Sequence, residues 1–329
     1  MSEPEDTGRT VGRGLRGLVR LVVGLALLGV LLYYVPWSRI VGHIGSASLG
    51  PLLMILILVF AGILVSSLKL QILLRTKAPG ITLGTVVQAY YFGTFFNNFL
   101  PTSVGGDVVK VARLRDAGVP LGHATAATIV ERGSGVAVAL ALAAAVALGW
   151  GGFFERLDLT ALRGPLAALG IGPFFLVVVL YPLWRSRIKP FLKTRRDTRV
   201  LGTAYRIISG FYVFRNNPAV LLQAVGLSCL FYLLMGASLM LVSGSVGGAV
   251  GPGEAMGIVP LRTLPGMLPV SVGGLGVREG VITYCLAGVG LGAGRAAAAA
   301  LLLRFLGWMH SACGGLLYLL DQPRRSDAK

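Results

Sequence analysis

The chain has 329 residues, 55% of them hydrophobic and 13% charged, with a formal net charge of +17. Uncharged apolar runs of about 18 residues or more exclude a water-soluble protein, and spans with short connections take up so much of the length that no soluble catalytic domain of ordinary size fits. In a membrane chain the positive excess points to anionic lipid head groups as partners and away from nucleic acid.

Residues 1–16 read as a polar cytoplasmic tail. Residues 17–35 read as a retained first span, because the run ends in Tyr34-Val35-Pro36-Trp37 without a small-x-small cleavage pattern. Further full spans are expected over 49–68, 124–150, 166–184, 218–243 and 296–320, making about six. Residues 81–99 carry no charge but are dotted with Gln88, Tyr90, Tyr91, Asn97 and Asn98, which suits the lining of a polar cavity better than a lipid-facing helix. A strongly basic loop is expected at 185–215, and 321–329 close the chain as a second tail.

Leu100-Pro101-Thr102-Ser103-Val104-Gly105-Gly106-Asp107-Val108-Val109-Lys110 returns 168 positions later as Leu268-Pro269-Val270-Ser271-Val272-Gly273-Gly274-Leu275-Gly276-Val277-Arg278, with seven of eleven residues identical. Each copy ends on a base. Proline and paired glycine break a membrane helix, so each copy predicts a re-entrant hairpin, at 97–115 and at 265–280. The duplication divides the chain into a first membrane repeat, 17–164, and a second, 165–320. Counting Lys and Arg by segment, with both termini inside, places 22 on the cytoplasmic side and two within spans. Six fall outside: Arg39, Arg156, Arg163, Arg262, Arg278 and Arg295. That bias makes the repeats inverted, with hairpins entering from opposite faces and meeting near the midplane, as in transporters that build substrate sites from broken helices. The fold class is therefore an all-α polytopic membrane protein with two re-entrant hairpins in an inverted repeat. The plainer reading of the repeated phrase is that its proline and glycines merely permit kinks and close packing.

Candidate substrate-binding residues follow from these breaks: Asn97, Asn98, Pro101, Ser103, Gly105, Gly106, Asp107 and Lys110 in the first copy, and Pro269, Ser271, Gly273, Gly274, Arg278 and Glu279 in the second. Arg113 lies just beyond the first copy. Asp107 and Lys110 are three apart and share a helix face; Arg278-Glu279 supply the acid and base of the second copy. Glu131 and Arg132 sit inside a span, where an unpaired charge costs roughly 2.5–3.5 kcal/mol. They are expected to face the interior, and their directions differ by about 100° on a helix, so different partners are expected. Arg304 raises the same question in the last span. Lys69 is expected to snorkel and is given no role. Cys229, Cys285 and Cys313 and the three histidines have no metal-ligand spacing, and no Walker A, GxSxG or HExxH motif occurs. No cofactor or metal is expected.

Asn97-Asn98-Phe99-Leu100-Pro101, Gly105-Gly106-Asp107 with its base at 110, Val130-Glu131-Arg132, and Leu268-Pro269 with Gly273-Gly274-Leu275-Gly276-Val277-Arg278-Glu279 resemble the lysylphosphatidylglycerol synthase transmembrane-region family. The likeness covers nearly the whole chain. In that family the base after Gly-Gly-Asp is commonly arginine; Lys110 keeps the charge and loses the bidentate fork. The resemblance implies a multi-pass protein of the cell (inner) membrane that moves a lipid between leaflets, and a stand-alone member without the synthase's soluble domain. Anionic-headgroup cargo is open among phospholipids, aminoacylated lipids and polyprenyl-phosphate carriers. Two other readings are a membrane transferase using Asp107 or Glu131 as general base, and a non-transporting partner of a lipid synthase.

Overall fold

A computed structural model describes residues 37–45, 49–98, 105–168, 217–266 and 271–320, with single positions 22, 29, 33 and 214. These residues are helical, with no strand among them. The elements are α1 (Trp37–Gly45), α2 (Leu49–Arg75), α3 (Leu83–Asn97), α4 (Gly105–Asp116), α5 (Leu121–Gly149), α6 (Gly151–Arg156), α7 (Pro218–Ser245), α8 (Pro252–Gly266), α9 (Val277–Leu286) and α10 (Ala293–Leu320). A 3-10 turn, Val272–Gly274, precedes α9, and a π turn, Ala287–Leu291, follows it.

Helices α2, α5, α7 and α10 are long and apolar enough to cross a membrane. The 27 residues of α2 rise about 40 Å at ~1.5 Å each, more than the ~30 Å hydrocarbon core. These four correspond to four of the six expected spans. Those expected at 17–35 and 166–184, and the basic loop at 185–215, lie almost wholly outside the described residues. Where α2 was expected to end at 68 it continues to Arg75, and this extension carries Lys69, Leu70, Gln71, Leu73 and Leu74 into the interior. Proline opens α7, where a missing N–H costs nothing. Thr82 caps α3 by accepting the Thr85 N–H at 3.3 Å.

The elements recur in order, but with two offsets instead of the single one expected. Starts of α2 and α7, and of α3 and α8, differ by 169; those of α4 and α9, and of α5 and α10, differ by 172. The change falls inside the second phrase, where Leu275-Gly276-Val277-Arg278 separates Gly-Gly from the acid that follows Gly-Gly directly in the first copy. In this register Asp107 corresponds to Glu279 and Arg132 to Arg304. Lys110 corresponds to Ile282, so Arg278 is not its counterpart as the phrase alone suggested.

Helices α2 and α7 pack along their length. Ile55 joins Leu239 and Val242 in one apolar cluster, while Leu70, Leu73 and Leu74 join Ala224 in another, so the two helices run antiparallel. Opposed direction in equivalent helices is what inverted repeats require. Helix α3 packs on α10 and α8 on α5, so each hairpin leans on the last long helix of the other half. Apolar side chains such as Leu53, Ile57, Leu222, Leu233, Phe305 and Leu316 remain exposed on the outer faces, as lipid contact requires. Lipid tails are as apolar as these side chains, so helix association relies on close packing and internal polar contacts. Helices α3 and α4 approach backbone to backbone. A Cβ on Gly106 would overlap the Gly93 carbonyl oxygen, and one on Gly93 would lie 2.8 Å from the Gly106 carbonyl oxygen.

Candidate functional site

The first charge cluster is built where α2, α3, α4 and α5 converge. On α4, Asp107, Lys110 and Leu114 recur at i, i+3 and i+7, putting the acid, the base and an apolar anchor on one inward face. Lys110 Nζ lies 3.1 Å from Asp107 and 3.3 Å from Glu131 of α5, and 4.3 Å from the centre of the Tyr90 ring. Lys69 Nζ lies 3.2 Å from Glu131 and donates to Ser228 Oγ of α7 at 3.0 Å. The Tyr90 hydroxyl donates to Glu131 at 2.7 Å. Arg132 turns away from its neighbour Glu131 and pairs with Asp107. Two carboxylates and three cations thus alternate in one network. Its members are buried or half-buried, and breaking one link leaves an uncompensated charge in low dielectric.

This arrangement bears out the expected i, i+3 pair and the different partners of Glu131 and Arg132, and it corrects the reading of Lys69. Its ammonium is buried inside the protein and reaches no interface. An ion pair with Glu131 offsets the desolvation that snorkelling would otherwise avoid.

The second cluster is built from α8, α9 and α10. Glu279 accepts the Gly276 N–H at 2.7 Å, capping α9, while its other oxygen meets Arg304 Nε at 2.5 Å. Arg304 Nη1 donates to the Gly273 carbonyl at 3.4 Å. Glu279 therefore pairs with Arg304 and not with adjacent Arg278, contrary to a simple acid-and-base dipeptide. Gly273 and Gly274 adopt φ of +58° and +75°, which favour glycine and let the chain turn sharply before α9.

The hairpin breaks touch. A Cβ on Gly273 would lie 3.4 Å from the Asn97 carbonyl oxygen. Asn97 Oδ1 accepts the Gly106 N–H at 2.8 Å across the first break, and Asn98 Nδ2 donates to Ser311 of α10 at 2.6 Å. Gly105 opens α4. Ser271 is buried, its hydroxyl without a hydrogen-bond partner among the described residues. Pro101, Ser103 and Pro269 lie outside the described residues. Arg113 donates to Gln88 of α3 at 2.8 Å and lines none of the cavities described below.

Between the clusters lies a cavity of about 410 Å³, within the range of small-molecule sites. Lys69, Glu131, Arg132, Arg262 and Arg278 line it, together with Leu58, Val59, Ile63, Phe231, Leu234, Met235 and Leu303. A smaller cavity of about 170 Å³ adjoins it, sharing Arg262 and Arg278 and adding Asn98, Glu279, Arg304, Trp308 and Ser311. On the other side of Arg132 an apolar groove of about 890 Å³ runs between α4 and α5, past Val108, Val111, Val136 and Leu140. Arg132 lines both the groove and the central cavity.

Residues 17–314 match the family described as the lysylphosphatidylglycerol synthase TM region. The chain belongs to that family. The match spans both hairpins and all the charges above, so the family's membrane region contains the whole candidate site. No curated protein matches the chain. Membership and the four long apolar helices establish a multi-pass membrane protein of a lipid-associated family.

Sequence reasoning missed Lys69, Tyr90, Ser228 and Arg262 as site residues. Lys69 and Arg262 had been counted as loop charges, and Lys110 and Arg278 with them. Setting these four aside lowers the basic count from 22 to 20 on one side and from six to four on the other, so the bias survives. Tyr90 stood in plain view among the polar residues of 81–99, but nothing in its spacing tied it to Glu131.

Proposed function

We propose that the protein translocates a lipid with an anionic head group between membrane leaflets. The observation that carries this reading is the central cavity, cationic where the two hairpin breaks meet and apolar along α2 and α7. A head group would sit against Arg132, Arg262 and Arg278, with acyl chains along the apolar walls and the α4–α5 groove. Hairpins that pack on opposite repeats couple the two halves, so rocking one against the other exposes the cavity to alternate sides. In this reading 17–164 and 165–320 are the two repeats, the chain lies in the cell membrane, and both termini are cytoplasmic. Asp107 and Glu131 act as counter-ions. Each carboxylate is already engaged by cations, which leaves it a poor general base.

The test is reconstitution of the full chain into vesicles with head-group-labelled anionic lipids, followed by a membrane-impermeant quencher. Movement of label above that of empty vesicles, reduced at least about tenfold by Arg132→Gln, is the expected result. No movement with any anionic lipid overturns the reading.

A further inference from the structure

Among the described residues, the charges around the cavities are unbalanced in a way that specifies the head group. Six cations, Lys69, Lys110, Arg132, Arg262, Arg278 and Arg304, gather about three carboxylates, Asp107, Glu131 and Glu279. Of the chain's other ten acidic residues, the four at described positions line neither cavity. The excess is concentrated in the second repeat. There, among the described residues, three guanidiniums gather about one carboxylate, and both oxygens of Glu279 are already taken, by Arg304 and by the Gly276 N–H. Arg262 makes no hydrogen bond or ion pair within 4 Å to any described residue, yet it lines both cavities. Neighbouring guanidiniums in a low-dielectric site repel one another, and an anion placed between them relieves that repulsion. Planar guanidinium forks match phosphate oxygens, which they can hold bidentately.

We propose that the cavity selects a lipid whose head group ends in a phosphate monoester or diphosphate, with two or more negative charges, and rejects zwitterionic and net-cationic aminoacyl heads. The proposal rests on the translocation reading only for how the lipid reaches the cavity. A singly charged phosphodiester neutralises part of the excess, and an added ammonium group reintroduces the repulsion. The smaller cavity has the size for a phosphoryl group, with Asn98, Trp308 and Ser311 as neutral polar lining. The apolar side of the larger one favours lipid over free phosphate, which shares the same anionic chemistry.

The test uses the full chain in nanodiscs of neutral lipid, with labelled phosphatidate, phosphatidylglycerol and lysylphosphatidylglycerol as probes and inorganic phosphate as competitor. Phosphatidate is expected to bind at least about tenfold more tightly than phosphatidylglycerol at pH 8. That preference should shrink as pH falls through about 6, where the phosphate monoester takes up its second proton. Arg262→Gln should abolish the preference, Arg262→Lys should retain most of it, and the exposed Arg156→Gln should leave it unchanged. Equal or tighter binding of the lysyl lipid overturns the proposal, as does an unaltered preference in folded Arg262→Gln. If that variant does not fold, the pH profile of the unmodified protein decides: a preference flat between pH 5 and 8 overturns the proposal. Displacement of phosphatidate by millimolar inorganic phosphate assigns the site to free phosphate and overturns the lipid assignment; resistance to it supports lipid. Transport separates the two readings. Equal movement of all three lipids overturns head-group selection and leaves translocation standing, whereas selective phosphatidate binding without movement overturns translocation and leaves the site.

Discussion

The two repeats share one device and differ in everything built around it. Asp107 with Arg132 and Glu279 with Arg304 occupy equivalent positions, each acid in the first turn of a short helix and each arginine 25 residues on in the following span. This common pair ties hairpin to span in both halves. Around it the first repeat adds lysines, each within 3.3 Å of a carboxylate, and a second acid, Glu131. Among the described residues, the second repeat adds arginines around its pair and no further acid. Lysine ammoniums act as compact charges that close an internal network, whereas guanidiniums suit an external anion with several oxygens. The comparison separates charges that hold the fold from charges placed to meet the proposed ligand.

The sharpest way to break the first cluster is Glu131→Gln, which strips the shared counter-ion from two buried lysines. A loss of about 3–5 kcal/mol is expected in thermal unfolding of the purified protein. Adding Lys69→Met should recover roughly 1–3 kcal/mol, because the second change removes a charge the first left unpaired. Equal melting for the single and double variants would show that the unpaired Lys69 charge is not what destabilises Glu131→Gln. Cutting the common pair should expose the asymmetry of burial. Arg304 has 12% of its side chain exposed and Arg132 has 33%, so Arg304→Gln should destabilise by about 2–3 kcal/mol and Arg132→Gln by about 1–2 kcal/mol. The reverse order would mean that burial does not set the strength of the pair. Gly106→Ala tests the hairpin without touching charge: its methyl group meets the Gly93 carbonyl and should cost about 1–3 kcal/mol. The smallest effect belongs to Arg156→Gln, which removes an exposed pair with Glu254 and should shift stability by less than about 1 kcal/mol.

Periodicity and charge exclusion made the membrane spans legible, and proline with paired glycine made the breaks legible, because both depend on local chemistry. Asp107–Lys110 and the divergence of Glu131 from Arg132 could be read for the same reason: both follow from helical geometry. Lys69 and Arg262 could not. Hydropathy ended the second span at the charge that follows Leu68, whereas Lys69 stays inside because Glu131, 62 positions away, offsets its desolvation. The phrase likewise suggested that Lys110 and Arg278 were equivalents. Four inserted residues displace one against the other, and identity at seven positions hid the shift.

That insertion has a consequence for the proposed translocation. A protein made of two interchangeable halves would spend equal time open to either side of a symmetric membrane, because each conformation would be the mirror of the other. The second hairpin joins its helices through ten residues, 267–276, against seven in the first, 98–104, and places Arg278 in the first turn of its second helix, so in such a carrier the two conformations would differ in energy before any cargo binds. Such a carrier would have a resting side, and deleting Leu275-Gly276-Val277-Arg278, so that Glu279 follows Gly273-Gly274 directly, is the change that would make the halves alike.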